Sequence, residues 1–300
     1  MGCLSDISLG SPITRSVVNN PFPFLLCLLL CAFCADGAID QQAQEKSDLE
    51  RALFPDSYQT LTVGEQQILL IIGENTNPIA RGVAVMIGES GRSMVSHNSL
   101  SPLSHQLNDL GWVTMIMPAP QIGLSIPLTE KNKPSDSGKN DTTAILAKSV
   151  TTSIDEEQFL IHEQQLILQM QAIVDRSKDY PGFFLVIAQG TSAAWLAKIY
   201  SEEQLDVPDA FVVISPYWPS REYNIKLADY LANTSMPVLD IYNNWDNEWS
   251  LQSYPARKIA ANKVLKLHYR QRELIGLAIE NQQSDYLSKE IYGWLSYMGW

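Results

Sequence analysis

One stretch, residues 183–195, constrains the fold more than any other part of the sequence. Its first five residues, Phe183 to Ile187, are all apolar, and their aromatic and β-branched side chains are typical of a strand buried on both faces. A tight turn follows at 188–192, and the apolar periodicity of Ala193 to Tyr200 then predicts a helix. Strand, sharp turn and helix form the setting in which the motif G-x-S-x-G presents a nucleophilic serine.

Laid over this turn, the motif puts a glycine where the nucleophile belongs. Ala188 takes the place of the first motif glycine, Gln189 the variable position and Ser192 the last glycine, so the nucleophile's position falls on Gly190. Glycine has no side chain that could attack a substrate, and we therefore predict an elbow without its nucleophile. Thr191 and Ser192 follow on the first helical turn and should point away from the exposed tip. Ser192 is interpreted as a small residue that allows close packing of helix on strand.

Predicted strands and helices alternate along the rest of the chain. Strands are predicted at 67–72, 81–87, 112–117, 183–187, 210–214, 237–242 and 264–269, and helices at 100–110, 156–177, 193–200, 223–231, 256–262 and 284–298. This alternation predicts an α/β fold with a mainly parallel central sheet and helices on both faces. The first two predicted strands are interpreted as a hairpin that joins the larger sheet.

The N-terminal region has the pattern of a secretory signal peptide. Residues 22–33 form an apolar run of signal-peptide length, Arg15 precedes it, and small residues at 32–38 offer cleavage sites. We predict that residues 1–37 are a cleaved signal peptide, and an uncleaved membrane anchor is the alternative. All four cysteines precede residue 35, so the cleaved chain would contain no disulfide and no thiol nucleophile.

The remaining chain is predicted to be a polar lead-in, residues 38–57, followed by one domain, residues 58–300. Within the domain, residues 125–155 have a polar composition that indicates a mobile insertion, and a lid over a site is the alternative. We expect an exported protein, located in the periplasm or cell envelope, with no stable membrane span once the signal peptide is removed.

Charge and histidine spacing exclude several classes of function. The net charge of -12 argues against a nucleic-acid-binding protein, which usually carries a basic stripe. The four histidines show neither H-x-x-H nor H-E-x-x-H spacing, so we predict no metal site and no cofactor.

The order of the predicted elements resembles the α/β-hydrolase fold over residues 58–298. Within that fold, the chain is similar to a secreted bacterial family of unknown function (domain-of-unknown-function family 3530), whose elbow also carries glycine in place of serine. The matching segments are Ile187 to Ser192, Leu110 to Trp112 with Met117-Pro118, and Tyr269 to Arg272.

The resemblance implies positions for the acid and the base of a hydrolase triad. Asp246 follows the strand at 237–242, where the acid is expected, although a turn-forming aspartate is an equal interpretation. The base should be a histidine after the last strand, but residues 271–277 contain none. His268 lies within the predicted last strand and is interpreted as structural.

The loop after the strand at 81–87 stands where hydrolases carry their oxyanion-hole residues. Its glycines would let backbone N–H groups approach a ligand, and the N-terminus of the helix after Gly190 would favour an anion. The predicted elbow and pocket residues are Gly88, Glu89, Ser90, Gln189, Gly190, Thr191 and Ser192.

These features predict a non-catalytic protein, a pseudoenzyme that binds a small ligand or an envelope partner. The alternative is an ester or amide hydrolase with a relocated nucleophile, and a third possibility is a structural scaffold. The alternative would use Ser90, Ser192 or Ser215 as nucleophile, His97 or His268 as base, and Asp246 as acid. Trp218, Trp245 and Trp249 follow predicted strands and are expected to form an exposed binding surface or to pack under a lid.

Overall fold

The computed structural model describes residues 41–64, 66–94, 96, 99–121, 154–276 and 281–300. The predicted signal peptide at 1–37 lies outside these residues. So do His97 and the predicted insertion at 125–155, except for the last two residues of that insertion.

The described residues form one sheet of eight strands with helices on both faces. The strands are β1 (Tyr58–Val63), β2 (Gln66–Gly73), β3 (Gly82–Ile87), β4 (Trp112–Met117), β5 (Phe183–Gln189), β6 (Ala210–Ile214), β7 (Val238–Asn243) and β8 (Tyr269–Leu274). The helices are α1 (Gln41–Ala52), α2 (Ser101–Asp109), α3 (Glu156–Ser177), α4 (Gly190–Ser201), α5 (Arg221–Asn233), α6 (Glu248–Lys263) and α7 (Asn281–Tyr297), and a 3-10 turn spans Pro55–Ser57.

The strand order, β1-β2-β4-β3-β5-β6-β7-β8, is that of a doubly wound sheet. β1 pairs antiparallel with β2 and β2 pairs antiparallel with β4, while every pair from β4 to β8 is parallel. The carboxyl ends of six parallel strands therefore meet at one edge, which we call the carboxyl edge. The predicted α/β fold is confirmed.

Alternating side chains of the strands feed two separate cores. In β3, Val83, Val85 and Ile87 pack into the core beneath α3, α4 and α5, whereas Ala84 and Met86 face the core beneath α1, α2 and α7. Since successive side chains of a strand point to opposite faces, a strand between two helical layers must be apolar at every position. This explains why the central strands are continuous apolar runs.

The prediction that β2 and β3 form a hairpin is wrong. β2 pairs with β1 through the register Val63↔Gln66, and β3 lies beyond β4 instead of beside β2. β1 escaped prediction because it is an edge strand with the sequence YQTLTV, of which only Val63 is buried. An edge strand that packs on one face does not need an apolar run.

The predicted last strand is also wrong, because β8 begins where that prediction ends. Residues 264–268 form a turn, and the strand runs from Tyr269 to Leu274 with the sequence YRQREL. It is the opposite edge of the sheet, so its charged residues face solvent. α6 likewise begins at Glu248 instead of residue 256 and contains Pro255 within its span.

Within the described ranges, no helix is long and apolar enough to cross a membrane.

Candidate functional site

The elbow predicted from the sequence is present at the carboxyl edge. β5 ends at Gln189 and α4 begins at Gly190, whose φ of +59° lies in the left-handed region. Side chains other than glycine rarely adopt this conformation. Glycine at position 190 therefore allows the sharp turn between β5 and α4.

The space above Gly190 is filled by Glu89, from the loop after β3. A Cβ atom placed on Gly190 would lie 2.8 Å from Cγ and 2.9 Å from Cδ of Glu89. Carbon atoms in contact are normally about 3.5–4.0 Å apart, so a nucleophile's side chain and the present Glu89 conformer exclude each other. Glu89 thus occupies the position from which an elbow serine would act.

Two neighbours hold the Glu89 carboxylate in this position. The hydroxyl of Tyr217, which follows β6, donates to Oε1, and Nε of Arg92 lies 2.6 Å from Oε2. The Tyr217 backbone N–H also donates to the carbonyl oxygen of Gly190 at 3.4 Å, which ties this loop to the elbow. Burial, and next the negative charge of Glu89, raise the pKa of Tyr217 well above its usual value. Tyr217 therefore stays protonated and remains a donor.

Little free volume remains beside this cluster. The cavity next to it has a volume of about 10 Å³ and is lined by Gly88, Glu89, Arg92 and Gln189 together with apolar residues from β4 and the β3–α2 loop. That volume is close to the minimum needed for a single water molecule. In the conformation described, this cavity is too small for a substrate.

The predicted hydroxyl groups are engaged or buried. Ser90 Oγ donates to the carbonyl oxygen of Pro120 at 2.5 Å. Thr191 and Ser192 are buried on the first turn of α4, and their hydroxyl oxygens have no hydrogen-bond partner among the described residues. A hydroxyl enclosed by protein on the inner side of α4 cannot reach a ligand at the carboxyl edge.

Ser215 directly follows β6 and has a strained, left-handed backbone. Its φ is +52°, it is buried, and its hydroxyl accepts a hydrogen bond from the side-chain amide of Asn243 at 3.4 Å. A serine hydroxyl is activated by a base that accepts its proton. The Asn243 amide N–H only donates a hydrogen bond, so this contact does not activate Ser215.

Asp246 lies in the loop directly after β7, close to the same cluster. Its Oδ1 accepts the backbone N–H of Asn247 at 2.8 Å, and its Oδ2 is buried without a partner in the described part of the chain. The charge of Asp246 adds to the rise in the pKa of Tyr217. Asn247 in turn caps α6 by accepting the N–H of Ser250 at 2.9 Å. Asp246 is therefore both a turn residue and a second carboxylate at the site.

Three of the four histidines lie in the described part of the chain, each at a different place in the fold. His268 is exposed, immediately before β8, and so stands at the amino edge of the sheet. A strand of six residues separates the two edges by roughly 20 Å. His162 of α3 is buried against Trp195 with ring centroids 4.2 Å apart. His105 is exposed on α2.

The corrected position of β8 leaves the predicted lack of a base unchanged. The segment that follows the strand, residues 275–280, has the sequence IGLAIE and contains no histidine. The residues directly after the strand thus contain no histidine in either position of the strand, although the predicted strand was shifted by five residues.

Sequence reasoning missed two members of the cluster and misplaced one aromatic residue. Tyr217 and Arg92 went unnoticed, although both follow strands whose carboxyl ends meet at one edge, which is the signal that brings such residues together. Trp218 was expected to be exposed, but it is buried beside Trp195 and Phe159 with ring centroids 5.7 and 5.5 Å away. Trp245 does lie exposed in the loop after β7.

Comparison with known proteins agrees with this architecture. A family model described as a protein of unknown function (DUF3530) matches residues 33–297. Comparison with curated protein sequences finds no match.

Several solved structures share the fold. Est1E from Butyrivibrio proteoclasticus is 11% identical, covers 80% of this chain and 99% of its own, and has a TM-score of 0.54. A dienelactone hydrolase from Anabaena variabilis is 12% identical over 80% of this chain and 98% of its own, with a TM-score of 0.52. An α/β serine hydrolase homologue from Coxiella burnetii is 12% identical over 79% and 96%, with a TM-score of 0.51. At such low identity the likeness shows the fold alone.

Proposed function

This chain belongs to the DUF3530 family and has the α/β-hydrolase fold, and from this premise we propose that it binds a ligand at the carboxyl edge without covalent acyl transfer. The observation that carries the proposal is the Glu89 side chain, which fills the place of a nucleophile above Gly190. Covalent acyl transfer needs a nucleophile and a base that accepts its proton, and removal of either group abolishes most of the rate.

The polar groups at the edge suit a small polar ligand. Glu89 and Asp246 supply two carboxylates, Arg92 supplies a guanidinium group and Tyr217 supplies a hydroxyl. The ring of Trp245, the residue before Asp246, is exposed. Because carboxylates outnumber cations, a ligand with amino or hydroxyl groups matches the site better than an anion. Binding would require the Glu89 side chain to move, since the adjoining cavity is so small.

The surroundings of the serines support binding over the hydrolase alternative. Ser192 is enclosed, Ser215 faces an amide donor, and Ser90 donates to a backbone carbonyl. His268, the alternative's described base, is at the far edge of the sheet.

A fluorophosphonate probe tests the proposal, because it modifies serines that are activated by a base. We expect no stoichiometric labelling of the folded protein, with an active serine esterase labelled in parallel as the positive control. Modification of one serine that disappears on heat denaturation would refute the proposal, and peptide mapping would then identify the nucleophile.

We also propose that the protein is exported to the periplasm or cell envelope. The apolar run at 22–33 and the small residues that follow it support export.

A further inference from the structure

The basic residues of this acidic chain are unusually concentrated in one segment. Residues 249–272 contain no aspartate or glutamate, although the whole chain has 33 acidic residues and a net charge of -12. The same segment contains six basic residues, namely Arg257, Lys258, Lys263, Lys266, Arg270 and Arg272. It comprises most of α6, the turn that follows and the first part of β8.

Three of these basic residues are paired with side chains of the fold. Arg257 is fully buried against Asp240, and Nε of Arg272 lies 3.1 Å from a carboxylate oxygen of Glu290. The Arg270 guanidinium lies over the ring of Tyr297. Each of these three side chains is therefore engaged by another side chain of the fold.

The other three are lysines, two in the second half of α6 and one in the turn that follows it. Lys258 and Lys263 are exposed and form no ion pair with any residue that the structure describes. Lys266 is partly buried and donates to the carbonyl oxygen of Thr234. Lys258 and Lys263 therefore leave two positive charges without an ion-pair partner in the second half of α6.

The turn between α6 and β8 exposes apolar side chains at the same place. We call residues 264–268 the leucine turn. Leu265 is 83% exposed and Leu267 79% exposed, Val264 is half exposed, and Ile259 is 66% exposed on the last turns of α6. Isolated exposed apolar residues are ordinary, but four of them beside unpaired lysines form a patch that needs a partner.

The backbone conformation of the leucine turn at Leu265 is one that usually requires glycine. The N–H of Lys266 bonds to the carbonyl of Ala261 at 2.9 Å, and that of Leu265 to Asn262 at 3.1 Å, which is the Schellman pattern of a helix end. Leu265 takes its left-handed position with φ +53°, where glycine is the usual residue. His268 is also left-handed, with φ +57°. Glycine at 265 would satisfy the turn better than leucine does.

We propose that the leucine turn docks this protein onto an anionic lipid bilayer. Leu265 and Leu267 would enter the boundary between headgroups and acyl chains, while Lys258 and Lys263 would lie among the anionic headgroups. Apolar side chains flanked by lysines are the combination that binds proteins to such interfaces. The patch lies at the amino edge of the sheet, so the carboxyl edge with Glu89 would face away from the membrane.

The composition of the patch favours a bilayer over a protein groove. The exposed leucines lie in a turn, and the patch contains aliphatic side chains and lysines. Protein interfaces are instead enriched in aromatic residues and arginine and depleted of lysine. A fluid bilayer can also accept a projecting side chain without a preformed pocket.

Sedimentation of the full-length protein with vesicles tests the proposal. We expect binding to vesicles of phosphatidylcholine and phosphatidylglycerol in equal parts, weaker binding to pure phosphatidylcholine, and a decrease as salt is raised. Leu265→Gly should weaken the binding about tenfold, because it removes a buried leucine side chain from the interface. The same variant should raise Tm, since glycine relieves the left-handed strain, and so misfolding would not account for the loss.

Glu203→Gly is the matched control. Glu203 occupies the equivalent left-handed position at the end of α4, with φ +56° and the bond from the N–H of Gln204 to Ile199 at 3.0 Å. Its replacement should raise Tm likewise but should not weaken vesicle binding. All variants share one N-terminus, so any contribution of the apolar run at 22–33 is common to them.

Hydrogen exchange adds a local measurement. Anionic vesicles should slow the exchange of backbone amides in residues 264–268 in particular. Equal binding by the Leu265→Gly variant, or equal binding to neutral and anionic vesicles, would overturn the proposal. Protection of the turn that depends on protein concentration and not on vesicles would also overturn it, in favour of contact between two copies of the chain.

Discussion

At the scale of single residues, Gly190 and Glu89 form one unit. The elbow requires a left-handed residue, and glycine adopts that conformation without strain. The missing side chain leaves a space that the Glu89 side chain fills, and Tyr217 and Arg92 then bind its carboxylate. Restoring a side chain at 190 would therefore meet both a backbone penalty and a steric one.

Gly190→Ala should lower the free energy of unfolding by about 2–5 kcal/mol. The left-handed backbone accounts for roughly 1–2 kcal/mol and overpacking against Glu89 for about 1–3 kcal/mol. Gly64→Ala is a matched control, because Gly64 has the same φ of +59° but nothing within 4 Å of its added Cβ. Denaturant unfolding of both variants separates the steric cost from the backbone cost.

The Glu89→Ala background provides the second test of this contact. There the cost of Gly190→Ala should fall to that of Gly64→Ala, because the side chain that it meets has gone. An equal cost of Gly190→Ala with and without Glu89 would show that the two residues do not compete for the same space.

At the scale of elements, a buried network joins β7, α6 and β8. The Asp240 carboxylate of β7 pairs with Arg257 of α6 through contacts of 2.9 and 3.0 Å, and both side chains are fully buried. From β8, the Tyr269 hydroxyl and the Gln271 amide donate to Asp240 Oδ2 at 2.7 and 2.9 Å. A buried ion pair with all its partners is costly to break. The network thus fixes the middle of α6, and Asp246 and the leucine turn lie just before and just after this helix.

A second contact between elements joins α3 to α4 through His162. This imidazole is buried against Trp195, and its desolvation lowers the pKa of His162 to about 4. In the unfolded chain the same group takes up a proton near its ordinary pKa of 6.5. Between these two values the unfolded state binds more protons, so acidification favours unfolding.

We predict that His162 accounts for a loss of up to about 3 kcal/mol in the free energy of unfolding as the pH falls from about 6.5 to about 4. Below that pH the folded state is protonated too, and this contribution stops growing. His162→Leu should remove this part of the acid sensitivity, which denaturant titrations at several pH values can measure. His105→Leu is the control, because His105 is exposed. A His162→Leu protein as acid-sensitive as the parent would contradict the prediction.

At the scale of the whole molecule, charge and cysteine are distributed unevenly along the chain. The acidic residues surround a segment that has none, at 249–272, and all four cysteines precede residue 35. The first feature underlies the proposed docking surface, and the second makes export easy to test.

Cleavage of a signal peptide at 34–38 would leave a chain without cysteine. The denatured protein from an envelope fraction should therefore not react with a maleimide, and its mass should correspond to a start between residues 35 and 39. Ser296→Cys, at an exposed position of α7, is the control that must react. A reactive parent protein of full mass would show that the N-terminal segment is retained.

Local patterns in the sequence determined the parallel core of this protein. The apolar runs of the central strands, the bounds of α3 and the turn at Gly190 all follow from residues next to one another in the chain. The strands between two helical layers must be apolar throughout, so their composition alone identifies them. The edge strands β1 and β8 have fewer neighbours and polar sequences. As a result, β1 was not predicted, and β8 was predicted with the wrong bounds.

Contacts between distant residues were decided only by the tertiary structure. Glu89 and Arg92 follow β3 and Tyr217 follows β6, and the sequence predicts that they meet at one edge but not that Glu89 occupies the elbow. Leu265 and Leu267 read as part of a buried strand until the register of β8 placed them in a turn. Apolar character reflects the cost of contact with water, and only the packing of the whole chain shows which apolar residues remain exposed.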